Sequence, residues 1–493
     1  MNKPKPRTFN MLMIFIGVIA FLIVMLIFDF GDEYRSAQLV ASVALLMSIL
    51  WITEALPLAV TSLIPLILFP LTGAVSATII SQAYMNSTIF LFMGGFIIAI
   101  AMERWNLHKR IALNLIYLIG TSPAKIILGF MCATAFISMW ISNTATALMI
   151  LPIGLAILIK MEDQFGKENT VKFSTALMLS IAYSASIGGM GTLIGTPPNL
   201  VFARIYKITF PDQPAILFGD WMKFAVPIMI TMLFITWFLL TKVFYRFGAG
   251  MNINRNIIKS EKEKLGRMSF EEKAVSVVFL LTSILWIFRS ELNLGLITIP
   301  GWTEIFPKAD FIDDGTIAIT MAVVLFLIPA KSDSSHTDFL LDFSTISKIP
   351  GDIILLFGGG FALAEGFVGT GLSKLIGQQF AGLSAVPIVL LIALICFAVT
   401  ALSELTSNTA TAQIVLPILA SLSIELNIEP MLLMIPATLA ASFGFMLPVG
   451  TPPNAIVFSS KRFRVIEMVK TGVLIDILSV FVITFFIYLF FTL

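Results

Sequence analysis

Apolar runs separated by short polar breaks fill almost the whole chain. Stretches long enough to cross a bilayer, at about 20 residues each, fall near 10–30, 37–56, 58–74, 86–102, 173–205, 217–245, 273–289, 315–330, 351–373, 430–459 and 466–492. They predict eleven crossings. Two further apolar stretches, 122–160 and 384–426, carry a short polar segment near the middle and read either as two full spans each or as re-entrant hairpins. The one long polar stretch, 247–272, alternates Arg255, Lys259, Lys262, Lys264 and Arg267 with Glu261, Glu263, Glu271 and Glu272. It predicts a solvated, partly helical cytoplasmic linker, with lipid binding as the alternative.

The polar segments inside the two hairpin stretches are copies of each other. Ser142-Asn143-Thr144-Ala145-Thr146-Ala147 recurs as Ser407-Asn408-Thr409-Ala410-Thr411-Ala412, and each copy is followed after three residues by Leu-Pro. The same offset relates Gly94-Gly95-Phe96 to Gly359-Gly360-Phe361, read as glycines for close helix packing. A second pair, Gly195-Thr196-Pro197-Pro198-Asn199 and Gly450-Thr451-Pro452-Pro453-Asn454, recurs at a slightly shorter offset. The chain is a tandem duplication. Paired prolines in apolar surroundings break the helix that holds them. Unwound backbone at membrane depth is tolerated only where it is buried in protein or lines a cavity, so the doubled breaks point to a secondary transporter.

Basic residues orient the chain. With the N-terminus inside and both hairpins returning to their own side, 22 Lys and Arg fall in inner segments and 6 in outer ones, as the positive-inside rule requires. This predicts a cytoplasmic N-terminus and an external C-terminus. Five crossings then separate the hairpins, so the repeats are inverted and the two tips approach the midplane from opposite faces.

A Ser-Asn-Thr tip offers hydroxyls, an amide and free backbone N–H groups to an oxyanion, and a helix starting at the tip adds partial positive charge. Its oxygens equally suit a hard monovalent cation such as sodium. No Lys or Arg lies inside any of the four motifs. A bound dianion must therefore be balanced by dipoles and co-bound cations, and two equivalent tips suit a substrate with an anionic group at each end, a dicarboxylate. The bland alternative, small polar residues that only pack between helices, is weakened by the doubling. Glu404, three residues before the second tip, has Met139 at the equivalent place in the first. It is a candidate proton site or cation counter-charge, or else a hydrogen-bonded carboxylate that orients the tip. Glu365 and Glu54 are placed near an interface or a packing contact.

Composition narrows the classes. Of 493 residues 58% are hydrophobic and 12% charged, with a formal net charge of +2, which predicts a polytopic membrane protein and no nucleic-acid partner. Cys132 and Cys396 lie in apolar runs without metal-ligand spacing and read as buried free thiols. Lys3, Lys5 and Arg7 precede an apolar run with no small-residue cleavage site, so no cleavable signal is expected. His108 and His336 fall in predicted cytoplasmic segments and read as solvated. With no HExxH, no Gly-x-Ser-x-Gly and no histidine in an apolar element, an intramembrane enzyme has no base or ligand. Lys125, at a hairpin entrance, is no substitute. Inverted hairpins also argue for a closed central site instead of a continuous channel.

At its doubled Ser-Asn-Thr and Gly-Thr-Pro-Pro-Asn motifs the chain closely resembles the divalent anion/sodium symporter family, the bacterial dicarboxylate and mammalian di- and tricarboxylate carriers. The resemblance covers nearly the whole chain. It implies substrate contacts at Ser142, Asn143, Thr144, Ser407, Asn408 and Thr409, with Thr451 and Pro452 beside the second tip. It implies one sodium site at Ser138, Ser142, Asn143 and the Gly195 carbonyl, and a second at Ser403, Thr406, Asn408 and the Gly450 carbonyl. Where the family often has Thr, Ser403 keeps the hydroxyl; where it often has Ala, Thr406 and Gly450 leave the second site's affinity open. It further implies a homodimer working by an elevator motion, in which the hairpins and broken helices slide as a transport domain against a scaffold.

The reading is thus an all-α polytopic membrane protein of two inverted-topology repeats, with about eleven transmembrane helices, two re-entrant hairpins and two broken helices. Residues 10–118 form the scaffold part of repeat 1, 122–246 its transport part, 247–272 the linker, 273–382 the scaffold part leading into repeat 2 and 384–493 its transport part. The function expected is sodium-coupled symport of C4-dicarboxylates such as succinate, malate or fumarate across the inner membrane, with no organic cofactor. An exchanger, or a citrate or sulfate carrier on the same scaffold, is the rival.

Overall fold

The computed structural model describes residues 7–247, 255–293, 298–331 and 338–492. Lys3, Lys5, His336 and the 248–254 part of the linker lie outside the described residues. Among the described residues the fold is helical apart from a small antiparallel ribbon pairing Leu292 with Ile299 and Asn293 with Thr298, and a single bridge between Pro329 and Phe339. Eight helices among the described residues are long and apolar enough to cross a membrane, including Arg7–Leu26, Ala77–Arg104, Phe218–Phe244, Gly351–Gly369 and Val465–Phe491. Others are shorter, such as Leu58–Thr72 and Asp314–Leu327. The polytopic helical class expected from the apolar runs is the one observed.

Each hairpin stretch is two helices meeting at the polar tip. Pro123–Ser138 leads to Asn143–Phe165, and Ile388–Ser403 leads to Asn408–Leu426. Both first arms have 16 residues, which at about 1.5 Å per residue reach ~24 Å, short of a hydrocarbon core of about 30 Å. This favours the re-entrant reading. The second arms are among the span-length helices.

Both predicted breaks are present. Lys167–Gly189 stops, the chain unwinds through 190–196, and Pro197–Thr209 begins; likewise Met431–Ala440 stops and Pro452–Ser459 begins. Proline sits in the first turn of each restarted helix, where its missing N–H costs nothing and its fixed φ suits the helix. The interior Pro152, Pro227 and Pro417 leave their helices continuous.

The repeats interlock. Each restarted helix packs on the other repeat's hairpin: Pro197–Thr209 against Asn408–Leu426, and Pro452–Ser459 against Asn143–Phe165. Around this body Ser87–Arg104 lies along Asp314–Leu327. There a Cβ on Gly94 would stand 2.5 Å from the Ala318 backbone, and one on Gly359 would stand 2.6 Å from Ser62. The Gly-Gly-Phe copies are thus close-packing sites, as read.

Several polar positions differ from the expectation. His108 is buried, with Nδ1 3.1 Å from the Met102 carbonyl, because the helix Leu107–Ile119 packs on the first hairpin and covers it. The end of the linker is not solvated either. Glu272 is buried, pairs with Arg110 at 2.9 Å and closes a capping box with Ser269, while buried Glu271 accepts from the Lys331 amide at 2.8 Å. Tertiary partners make burial affordable for these carboxylates. Cys396 is buried but Cys132 only half-buried, and both are free thiols. Glu365 pairs with Arg204 at 3.4 Å, a packing contact, and Glu54 caps the end of Arg35–Thr53 in the left-handed region at φ 49°.

Candidate functional site

The tips are built by capping. Ser142 ends the non-helical turn, and its Oγ accepts from the Ala145 amide at 3.3 Å, so a helix N-terminus opens directly at Asn143. Ser407 holds the same place before Asn408 without a side-chain cap bond, leaving its hydroxyl uncommitted to the helix. Thr451 caps Pro452–Ser459 through a 3.5 Å contact from the Asn454 amide. Unsatisfied N–H groups at such starts attract anions.

Beside each tip lies its own break, and glycine lets them meet. A Cβ on Gly189 would collide with the Asn143 amide, and one on Gly195 with the Gly189 carbonyl and, at 2.9 Å, the Ser138 carbonyl. In the second repeat a Cβ on Gly450 would stand 3.0 Å from the Glu404 carboxylate.

In the first repeat three oxygens converge on one point. The Asn143 amide nitrogen, assigned inward by its hydrogen-bond partners, donates to Ser138 Oγ at 2.8 Å, the Ala185 carbonyl at 3.1 Å and the Gly195 carbonyl at 3.3 Å, and Ser138 Oγ donates to Ala185 O at 2.6 Å. The second repeat repeats the core: Ser403 Oγ lies 2.6 Å from the Ala441 carbonyl and 2.9 Å from Asn408 Oδ1. Of the residues named from the resemblance, Ser138, Asn143 and Gly195 come together directly, with Ser142 adjacent in the chain. Ser403 and Asn408 also meet. Thr406 turns its hydroxyl away, to Leu402 O at 3.0 Å and Thr411 Oγ1 at 2.6 Å, and Gly450 faces Glu404. Ser142, Asn143, Thr144, Ser407 and Asn408 are half-buried, Thr409 and Thr451 buried and Pro452 exposed.

Four further residues fasten the breaks. Asn199 donates to the carbonyls of Thr192 at 2.7 Å and Gly189 at 3.3 Å, and Asn454 to those of Gly444 at 2.7 Å and Leu447 at 3.0 Å. The amide oxygens of both asparagines remain buried without a donor. Thr192 bonds the Met139 carbonyl; at the matching place in the second repeat, Glu404 accepts from the Met446 amide at 2.8 Å and the Leu447 amide at 3.2 Å. The tip-to-break tie is thus made by a hydroxyl in one repeat and a carboxylate in the other. Asp476 of the last helix escaped the sequence reading, although one acid in a long apolar run is itself a signal.

A membrane-embedded body of two interlocked hairpin-and-broken-helix units, with a helix start and an oxygen cluster at each tip, defines a secondary transporter. The model of the sodium:sulfate symporter transmembrane region matches residues 8–493, and the chain belongs to that family. It is 41% identical over 495 residues to a sodium-dependent dicarboxylate transporter, SdcS, of Staphylococcus saprophyticus, covering 99% of this chain and 93% of that protein. It is 42% identical over 493 residues to SdcS of Staphylococcus aureus, covering 99% and 92%. In fold alone it is similar to the YdaH transporter of Alcanivorax borkumensis, whose crystal structure was described as revealing an unusual topology, at TM-score 0.55 and 12% identity over 83% of this chain and 86% of that one. Membership of a symporter family sets the enzyme reading aside.

Proposed function

We propose that the protein is a sodium-coupled symporter of C4-dicarboxylates such as succinate, malate and fumarate. The observation that carries this is the repeated oxygen cluster beside each tip: Ser138, Ala185 and Gly195 oxygens around the Asn143 amide, and Ser403 with Ala441 around Asn408. The Ser138, Ala185 and Gly195 oxygens suit a small hard cation when the Asn143 amide presents its oxygen in place of its nitrogen, and the buried, donor-less amide oxygens of Asn199 and Asn454 add acceptors of the same kind. Sodium bound there supplies the positive charge that the motifs lack, while the helix starts at Asn143 and Asn408 receive the two carboxylates. The sodium-dependent dicarboxylate relatives favour this substrate class over the sulfate of the family description.

On this reading Ser142, Asn143, Thr144, Ser407, Asn408, Thr409, Thr451 and Pro452 hold substrate, and the two sodium sites are those named above, with Thr406 offering a hydroxyl only after reorienting. The transport body comprises 122–246 and 384–493, and it moves as an elevator against 10–118 and 273–382 in a homodimer. The reciprocal packing of hairpins and restarted helices supports motion as one piece. The N-terminus is cytoplasmic and the C-terminus external, in the inner membrane.

The test is uptake of labelled succinate into proteoliposomes under an inward sodium gradient, with potassium replacing sodium in the control and sulfate or citrate as competitors. Uptake that needs sodium and proceeds into vesicles empty of dicarboxylate is expected. Sodium-independent uptake requiring internal dicarboxylate would make the protein an exchanger; uptake blocked by sulfate more strongly than by succinate would make it a sulfate carrier.

A further inference from the structure

At one end of the interlocked hairpins and broken helices, both repeats line a cavity of about 390 Å³. From the first repeat come Glu162, near the end of Asn143–Phe165, and Lys167, Val171 and Ser174 of Lys167–Gly189. The last three follow one another at helical spacing and share one face of their helix. From the second repeat come Ser460, Lys461 and Arg462, in the turn that follows Pro452–Ser459. The two parts meet because that restarted helix packs on both Asn143–Phe165 and Lys167–Gly189. Ser174 lies 15 residues before Gly189 in the same helix, roughly 22 Å along it from the first tip. On the orientation proposed above, this end faces the cytoplasm.

The wall is basic, and its donors are only partly used. Arg462 Nη1 donates to Glu162 Oε1 at 2.6 Å, which holds the guanidinium at the cavity and cancels one charge. Lys167 and Lys461 are exposed, and among the described residues neither ammonium has an ion-pair or hydrogen-bond partner. Three cations against one carboxylate leave two positive charges in excess. Lys167 also opens a 23-residue helix whose N-cap, Gly166, makes no side-chain bond, so first-turn N–H groups add partial positive charge at the same end. Glu168 shares that turn but does not line the cavity. Ser174 is the group that points to a ligand. It is 3% exposed, it stands in the cavity wall, and its Oγ meets no partner. A buried hydroxyl left unpaired loses its hydration with no return. Ser460 Oγ, by contrast, is committed to the Val457 carbonyl at 2.5 Å.

We propose that this cavity is a binding site for a phosphate group, held by Lys167, Lys461 and Arg462, with Ser174 donating its hydroxyl from the buried wall. A phosphate monoester carries a charge of about −1.5 to −2 at pH 7, which matches the excess. Its three terminal oxygens meet donors from both repeats at once, where a carboxylate has two. Val171 adds an exposed apolar wall for the carbon skeleton of an ester. Two sources share this chemistry: inorganic phosphate from solution, and the headgroup of an anionic phospholipid, which basic pockets on the cytoplasmic side of membrane helices accept. From either source the anion ties the end of the first hairpin to the restarted helix of the second repeat, far from the tips.

The test is calorimetric titration of the purified full-length protein at fixed ionic strength, with inorganic phosphate and, separately, with dioctanoyl phosphatidic acid in detergent. Saturable binding of at least one of the two is expected. Lys167→Gln with Lys461→Gln should lose at least about tenfold in affinity, because two charge-assisted bonds go. Lys348→Gln with Lys374→Gln, exposed lysines that do not line the cavity, should bind as the wild type does. Ser174→Ala should weaken binding about fivefold while its Tm without ligand stays level, since it gives up no hydrogen bond within the protein. Tighter binding of inorganic phosphate assigns a source in solution and tighter binding of the lipid assigns a headgroup; both carry the site. Saturation by neither, wild-type affinity in K167Q/K461Q or in S174A, or an equal loss in K348Q/K374Q would overturn it, the last as unspecific charge attraction. Should the double variant not fold, K167Q alone decides, by a severalfold loss or by none. Binding here is read without transport, so this site and the symport reading fail separately.

Discussion

Asn143 is where one side chain makes most of the contacts of the proposed site. Its amide joins Ser138, Ala185 and Gly195, so Asn143→Ala removes three contacts and opens space at the tip. Sodium-driven uptake should fall at least about tenfold, since one or more buried hydrogen bonds at about 1.4 kcal/mol per tenfold are lost, while the protein stays folded by size-exclusion chromatography. Asn408→Ala should behave alike; wild-type uptake in either variant would remove the tips from the site. Gly189→Ala probes the same contact from the other side, because the new methyl collides with the Asn143 amide. Overpacking of that kind costs about 1–3 kcal/mol, so uptake should drop and Tm should fall with it. His108 belongs to this scale too. Burial lowers its pKa from the ordinary value, ahead of the smaller opposing contact with the Met102 carbonyl. The folded state therefore prefers the neutral ring, and its stability should hold above about pH 6.5 and decline as the pH falls below it, by at most ~1.4 kcal/mol per unit. His108→Gln should remove that decline in a melting series; an unchanged acid limb would assign it to other groups.

Among the elements, the restarted helices separate two uses of proline. At Pro197 and Pro452 a polar, glycine-bearing loop precedes the proline and the helix begins afresh; at Pro152 and Pro417 apolar neighbours keep the helix running. The Gly-Thr-Pro-Pro-Asn signature was thus legible as a break because its paired prolines stop a helix; Thr451 caps the helix that restarts, whereas Thr196 makes no side-chain cap. What sequence did not reveal is that Asn199 reaches three carbonyls at its break and Asn454 two, since those partners are placed by the unwound backbone. Gly94 tests the packing around the interlocked hairpins and broken helices. Gly94→Val must enter the Ala318 backbone at about the 2.5 Å spacing, so Ser87–Arg104 should separate from Asp314–Leu327 and Tm should fall by several degrees, whereas Gly351→Ala, with no neighbour within 4 Å, should leave it unchanged.

For the whole molecule, the interlocked repeats tie the two tips into one body, which is what a substrate gripped from both ends requires. The helix Arg7–Leu26 has one buried residue, Gly17, and an exposed apolar face, as expected of a surface turned to lipid. Homodimerisation is checked by cross-linking or by light scattering in detergent; a monomer that still transports would discard the dimer while leaving the site intact.

Periodicity and repetition by themselves determined the helical membrane class, the duplication, the tips and both breaks. These are local: apolar runs have a length the bilayer sets, a Ser-Asn-Thr tip supplies residues at which a helix starts, and Pro-Pro stops a helix wherever it lies. Only the tertiary structure decided which oxygens surround Asn143, that His108 and Glu272 are buried, that Thr406 turns away, and that Glu404 accepts the Met446 and Leu447 amides. Each of those depends on a partner far off in the chain, and burial, ion pairing and hydrogen bonding are properties of the pair and of the space around it, which no single stretch of sequence carries.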